Sequence, residues 1–202
     1  TRFVIDITVH NMLPILNTNL IRLYSLYDQR FHIMGLYLKH LVKINKIGGA
    51  ADNYLSSYAL LIMLVFFLQK IIEPHVLPNL QKIEDREIIY EYNQNGETIK
   101  VNIYFEEDVQ KIKQYMRRVN NGQENTESPT ELLIKFFEYF SYYYDYYEQK
   151  LSIHDDTNVK AKPDLIAFSI EDPFDKTHNP GKSMMINSPQ FNKFITTMKK
   201  EI

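Results

Sequence analysis

Residues 59–68, ALLIMLVFFL, run for ten positions without a polar side chain. Such a stretch cannot face water, and it is too short to cross a bilayer, which takes about 20 residues. It reads as a helix buried in a core, spanning residues 57–72 and closed by Pro74 and Pro78. The other elements must cover it. The 202 residues, 45% of them apolar, suffice for one large domain or two small ones with a sizeable core.

The covering elements read as mostly helical. After a loop at residues 11–18 that contains Pro14, residues 19–46 show helical spacing, with a break at Asp28-Gln29 and a glycine stop at Gly48-Gly49. Residues 87–105 change to period two around Asn95-Gly96, a hairpin pattern. Residues 106–119 return to helix, and the polar stretch 120–127 reads as a mobile loop. Ser128-Pro129-Thr130-Glu131 is a capping box with proline at the first helical position, opening an aromatic-rich helix expected to reach about residue 149 with one wet face. Residues 165–170 read as a short strand, 171–182 as a polar loop, and Ser188-Pro189 as the start of a last helix. At the other end, residues 2–9 read as a strand without visible neighbours, so the chain is expected to begin inside a larger protein. The fold class is mainly α with minor β, an α+β arrangement.

Composition narrows the chemistry. Lys and Arg number 23 against 25 Asp and Glu, so neither a strongly basic nucleic-acid coat nor a polybasic membrane anchor is expected. The absence of cysteine excludes a disulfide scaffold, a Cys-ligated zinc and a cysteine nucleophile. No secretory signal pattern is read, which leaves cytoplasm, nucleus or an organelle matrix as the expected compartment.

Four features could carry function, each with a plainer reading. Asp6 lies among apolar strand residues, where a carboxylate is costly to bury unless paired or metal-bound; it could equally point to water from an edge strand. Lys39 and Lys43 share a helix face and could take a phosphate or form a solvated basic face. Ser56-Ser57-Tyr58 precedes the apolar helix, where hydroxyls cap and free amides also favour phosphate. Residues 171–179, EDPFDKTHN, could read the polar edge of a base or form a surface turn.

Together these motifs resemble the terminal uridylyltransferases and cytoplasmic-type poly(A) polymerases, of the DNA-polymerase-β-like nucleotidyltransferase superfamily. The matching pieces are Asp6-Ile7-Thr8-Val9, Asn17-Thr18, Leu38-Lys39-His40-Leu41-Val42-Lys43, Leu55-Ser56-Ser57-Tyr58, Pro78-Asn79-Leu80-Gln81, and Ile170-Glu171-Asp172-Pro173-Phe174 with His178-Asn179. The resemblance implies that Asp6 is the third metal-binding carboxylate of a catalytic palm, holding Mg²⁺ or Mn²⁺ and positioning an RNA 3′-hydroxyl. It implies that Asn17 and Thr18 lie near the ribose, that Lys39 and Lys43 neutralise the triphosphate, that Ser57 contacts phosphate and that Tyr58 stacks on the base. Asp172 and Asp175 match acidic positions of the nucleotide-recognition loop. His178 matches a histidine typical of uridylyl-transferring members, where it contacts uracil and crowds out adenine.

The implied organisation is a palm remnant over residues 1–16 and a helical poly(A)-polymerase-associated domain over 17–202, with the recognition loop at 170–182. The implied reaction adds UMP from UTP to RNA 3′ ends and releases pyrophosphate, with RNA, UTP and RNA-binding or RNA-processing proteins as the expected partners and no membrane. Two departures stand out. The Gly-Ser turn and paired Asp-x-Asp that precede the third carboxylate are missing, so this stretch by itself is expected to be inactive. Leu41-Val42 replaces an aromatic-small pair, a matter of packing. The alternatives are a poly(A) polymerase of the same family, for which His178 is the discriminating residue, and an inactive scaffold subunit of an RNA-processing assembly.

Overall fold

A computed structural model of the chain describes residues 12–94, 96–156 and 165–202. The strand read over residues 2–9, with Asp6, lies outside them.

Helix α1 spans Leu13–Tyr27 and α2 spans Gln29–Ile44. The loop expected through residue 18 is helical from Leu13, because Pro14 sits in the first turn, where its missing N–H has no partner to lose. The break expected at Asp28-Gln29 is present. Asp28 is extended, ends α1 and caps α2 by accepting from the Arg30 amide at 2.8 Å. The stop expected at Gly48-Gly49 comes earlier. Lys46 takes φ +52°, its amide reaches the Lys43 carbonyl, and the Ile47 amide reaches the Val42 carbonyl at 3.0 Å. This pattern satisfies the last carbonyls of α2, and burial of Ile47 offsets the unfavourable lysine conformation.

Helix α3, Ser57–Phe66, is the apolar run, capped by Ser56 Oγ on the Ala59 amide at 3.1 Å. Every residue from Ala59 to Phe66 except Leu61 is buried, and a π-helical turn, Phe67–Ile71, extends it. α2 packs against α1 on one side and α3 on the other. Gly35 allows the close approach to α3, since a Cβ there would lie 3.0 Å from Leu61 Cδ2.

Strands β1, Ile89–Gln94, and β2, Glu97–Asn102, pair antiparallel with Gln94 opposite Glu97, as the Asn95-Gly96 pattern predicts. Helix α4, Val109–Val119, starts later than residue 106. The Glu106 carboxylate accepts the amides of Glu107 and Asp108, holding them out of the helix, and Asp108 is the cap. Residues 120–127 lack helix but are tied down rather than loose. Asn120 exchanges two hydrogen bonds with the His75 backbone, and Arg30 Nη1 donates to Asn125 and Glu127 carbonyls.

Helix α5, Pro129–Glu138, carries the expected capping box and continues as a π-helical turn, Tyr139–Tyr143. It does not reach residue 149. Tyr144 turns extended, and its ring joins a buried aromatic cluster, 5.4 Å from Phe140 and 6.1 Å from Phe168. The wet face is as expected: Tyr142 and Tyr143 are exposed while Phe136, Phe137 and Phe140 are buried. The strand expected over 165–170 contracts to β4, Ser169–Ile170, parallel to β3, Lys150–Leu151, with a bridge from Ile166 to Met185. Helix α6, Pro189–Lys199, is capped by Ser188 and packs on α5. The architecture is α+β, mainly helical. Among the described residues no helix is long and apolar enough to cross a membrane.

Candidate functional site

The β3–β4 ladder launches the polar loop at residue 171, where the Glu171 amide donates to the Leu151 carbonyl at 2.8 Å. The loop folds back on itself through a buried carboxylate. Asp172 is only 2% exposed, and both its oxygens are satisfied. Oδ1 accepts the amides of Phe174 and Asp175 at 3.0 and 3.2 Å. Oδ2 accepts Tyr58 Oη at 3.1 Å, Asn17 Nδ2 at 3.3 Å and His178 Nδ1 at 3.3 Å. Burying a carboxylate is unfavourable without partners, and here five donors compensate.

Those three side chains come from α1, α3 and the loop. Beside them opens a cavity of about 480 Å³, lined by Pro14, Asn17, Thr18, Ile21, Tyr58, Leu61 and His178. Its walls are largely apolar, with polar groups converging at one end, the usual make-up of a small-molecule pocket. Asn17 Oδ1 is left without a hydrogen-bond partner. Thr18 Oγ1 donates to the Pro14 carbonyl.

The electrostatics follow from Asp172. Burial alone would raise its carboxyl, but the bonds from His178 and the two loop amides outweigh burial and hold it below its ordinary value. The hydrogen bond to Asp172 raises the His178 imidazole above its ordinary value, against a smaller opposing effect of burial. Burial and then Asp172 keep the Tyr58 hydroxyl firmly protonated. A carboxylate only accepts, so His178 Nδ1 carries a proton, and Nε2 is the ring's remaining polar atom.

Asn17, Thr18, Tyr58 and His178 therefore meet in one cavity, with Asp172 behind them. Asp175 is buried in the loop and faces the hairpin: its Oδ1 accepts from Thr177 and its Oδ2 accepts Tyr92 Oη at 2.9 Å. Lys39, Lys43 and Ser57 do not line the cavity. The lysines are exposed on α2, and among the described residues neither has a carboxylate partner. Ser56, not Ser57, caps α3, and Ser57 is exposed, its hydroxyl making no hydrogen bond among the described residues. Tyr92 and Gln81, which donates to the Pro173 carbonyl at 2.8 Å, were missed as site-supporting residues. Gln81 belongs to the Pro78-Asn79-Leu80-Gln81 motif, while the hairpin alternation marks Tyr92 only as a strand residue.

No protein-family model matches the chain. Over 179 residues it is 32% identical to terminal uridylyltransferase 4 of Homo sapiens, covering 87% of this chain and 10% of that protein. It is 27% identical over 178 residues to poly(A) RNA polymerase GLD2 of Homo sapiens, covering 86% of this chain and 34% of that one. The chain thus spans about a tenth and about a third of these relatives. Among solved structures, a cytoplasmic RNA terminal U-transferase superimposes with a TM-score of 0.73 at 25% identity, over 95% of this chain and 58% of that chain. The motif order, the fold and these similarities agree: the chain belongs to the terminal uridylyltransferase and cytoplasmic-type poly(A) polymerase family.

Proposed function

We propose that the protein is an RNA terminal uridylyltransferase, and that this chain supplies its nucleotide-selecting pocket. The RNA 3′-hydroxyl would attack the α-phosphate of UTP, forming a new phosphodiester bond as the bond to the β-phosphate oxygen breaks and pyrophosphate leaves. The observation that carries the reading is His178 hydrogen-bonded to buried Asp172 at the polar end of the cavity. The hydrogen bond to Asp172 raises the pKa of the ring, and in its imidazolium form Nε2–H is a donor. A donor there suits a uracil carbonyl and opposes the amino group of adenine or cytosine.

The remaining roles follow the cavity. Tyr58 offers its ring as the stacking wall, its hydroxyl held by Asp172. Asn17, fixed through Nδ2, offers an unpartnered carbonyl to a ribose hydroxyl beside Thr18. Lys39, Lys43 and Ser57, exposed and without a partner among the described residues, are available to the triphosphate. A divalent ion, Mg²⁺ or Mn²⁺, would neutralise the phosphates and orient the 3′-hydroxyl when bound. Its proposed ligand Asp6 lies outside the described residues, and among the described residues no group of three His, Asp or Glu could hold an ion. The work assigned to this chain's own residues is therefore nucleotide binding and base selection, with the stretch before α1 proposed as a remnant of the palm.

A poly(A) polymerase is the second reading, favoured by the similarity to GLD2. The test is transfer by the full protein to an RNA primer with each of the four nucleotides. Preferred use of UTP supports the proposal, and equal or greater use of ATP overturns it.

A further inference from the structure

The tip of the loop that carries His178 is fastened to the hairpin by one bond. Tyr92 Oη on β1 donates to Asp175 Oδ2 at 2.9 Å, and among the described residues no other hydrogen bond joins either hairpin strand to the loop. Apart from the Lys176–Asp155 ion pair at the tip, at 3.1 Å, the other fastenings grip the loop near its ends. Gln81 holds the Pro173 carbonyl, Phe105 lies 6.0 Å from the Phe174 ring, and Asn179 Oδ1 accepts the amides of Ile170 and Gly181.

Asp175 is the hub of the tip. Its carbonyl accepts the His178 amide at 2.9 Å, its own amide donates to Asp172 Oδ1 at 3.2 Å, and its Oδ1 accepts the Thr177 amide and hydroxyl at 2.9 and 2.6 Å. Asp175 is buried, and among the described residues no Lys or Arg forms an ion pair with its carboxylate. The adjacent Lys176 pairs with Asp155 instead, at 3.1 Å. Without the Tyr92 hydroxyl, Oδ2 would lose the only hydrogen-bond donor it has among the described residues, and a buried carboxylate so deprived turns toward water. Turning it shifts the backbone to which the His178 amide is bonded.

From this geometry we infer that Tyr92 is a positioning residue for base selection: its hydroxyl holds Asp175, and Asp175 holds His178 in the orientation that faces the cavity. Neither Tyr92 nor Asp175 lines that cavity. The inference rests on the reading of the cavity as the nucleotide pocket. Tyr90 is the natural control, because its ring stacks 6.0 Å from Tyr92 and its hydroxyl makes no bond to the loop.

The experiment compares the full protein with its Tyr92→Phe and Tyr90→Phe variants, reading KM and kcat for UTP and ATP, the His178 titration by NMR, and the thermal midpoint. Tyr92→Phe is expected to raise the KM for UTP about five- to tenfold, the scale of one ordinary hydrogen bond. Saturated kcat stays within about twofold, the preference for UTP over ATP falls in step, and the His178 titration midpoint moves down. Tyr90→Phe changes none of these. An unchanged KM for UTP with an unchanged His178 titration overturns the inference. So does a proportional loss with both nucleotides that tracks a lowered thermal midpoint, because that is a folding defect. If Tyr92→Phe does not fold, Asp175→Asn is expected to give the same split from the other end of the bond, and its failure to do so overturns the inference. A parent protein that shows no preference for UTP defeats the pocket reading instead, and the His178 titration alone then decides whether Tyr92 positions the ring.

Discussion

His178 Nδ1 stands 3.3 Å from Asp172 Oδ2, and that contact governs what the other ring nitrogen can offer a ligand. The carboxylate only accepts, so the Nδ1 proton is held in both charge states and the change on titration occurs at Nε2. A raised pKa extends to higher pH the range over which Nε2 presents a donor, and once neutral the ring presents an acceptor there.

This makes base choice depend on pH. The folded pKa of His178 lies above its ordinary 6.5, so the ring is charged below that value and loses its proton as pH rises through the raised one. The stability contributed by the His178–Asp172 pair follows the same course, present in full below about 6.5 and lost above it as His178 neutralises. The preference for UTP over ATP is expected to be greatest on the acid side of neutrality and to decline as pH rises through the His178 titration. Competition between the two nucleotides, measured across pH beside an NMR titration of the ring, checks that the two curves coincide.

Asp172 is predicted to be needed for the pocket to exist. In Asp172→Asn one oxygen must serve either the two loop amides or the three side-chain donors, and the new NH₂ group faces the donors left over. A loss of about 2–3 kcal/mol in unfolding free energy is expected, together with a fall of the His178 pKa toward its ordinary value. Urea denaturation and NMR measure both, and a variant with parental stability would contradict the role given to this carboxylate.

Removing the imidazole should alter selection more than turnover. His178→Ala takes away the donor and opens the end of the cavity to a larger base. UTP preference over ATP should fall by at least about tenfold, chiefly through better use of ATP. Primer extension with the two nucleotides in competition gives the ratio, and an unchanged ratio would remove His178 from the selecting role.

Gly35 lies away from any bonded group of the site yet bears on its wall. A methyl group there would meet Leu61 Cδ2 at 3.0 Å, and Leu61 lines the cavity. Alanine favours a helix over glycine by about 1 kcal/mol, which roughly offsets the crowding of one flexible side chain. Gly35→Ala is therefore expected to leave the thermal midpoint within a few degrees while weakening UTP binding several-fold as Leu61 moves inward. Calorimetric binding and a thermal scan on one sample separate the two effects.

Local chemistry announced many of the elements. The run at residues 59–68 demanded burial, Ser128 and Glu131 demanded a helix start, Asp28 a break and Asn95-Gly96 a two-residue turn, because each depends on neighbours a few positions away. Where elements stop was less legible. Lys46 ends α2 with a conformation usually left to glycine because Ile47 is drawn into the core, and the aromatic helix stops at Tyr143 because Tyr144 packs against Phe168. Both endings are settled by partners distant in the chain.

The site divides along the same line. Motif order brought Asn17, Thr18, Tyr58 and His178 under one family resemblance, and the four share a cavity. What the sequence by itself determined is the kinds of side chain available: a histidine, an aromatic ring, amides, hydroxyls and carboxylates in a particular order. Only the tertiary structure decided that Asp172 turns inward to take three side-chain donors from α1, α3 and its own loop, and that Asp175 turns toward Tyr92. The physical reason is that a carboxylate can be buried only where enough donors converge, and those donors lie up to 155 residues from Asp172 along the chain.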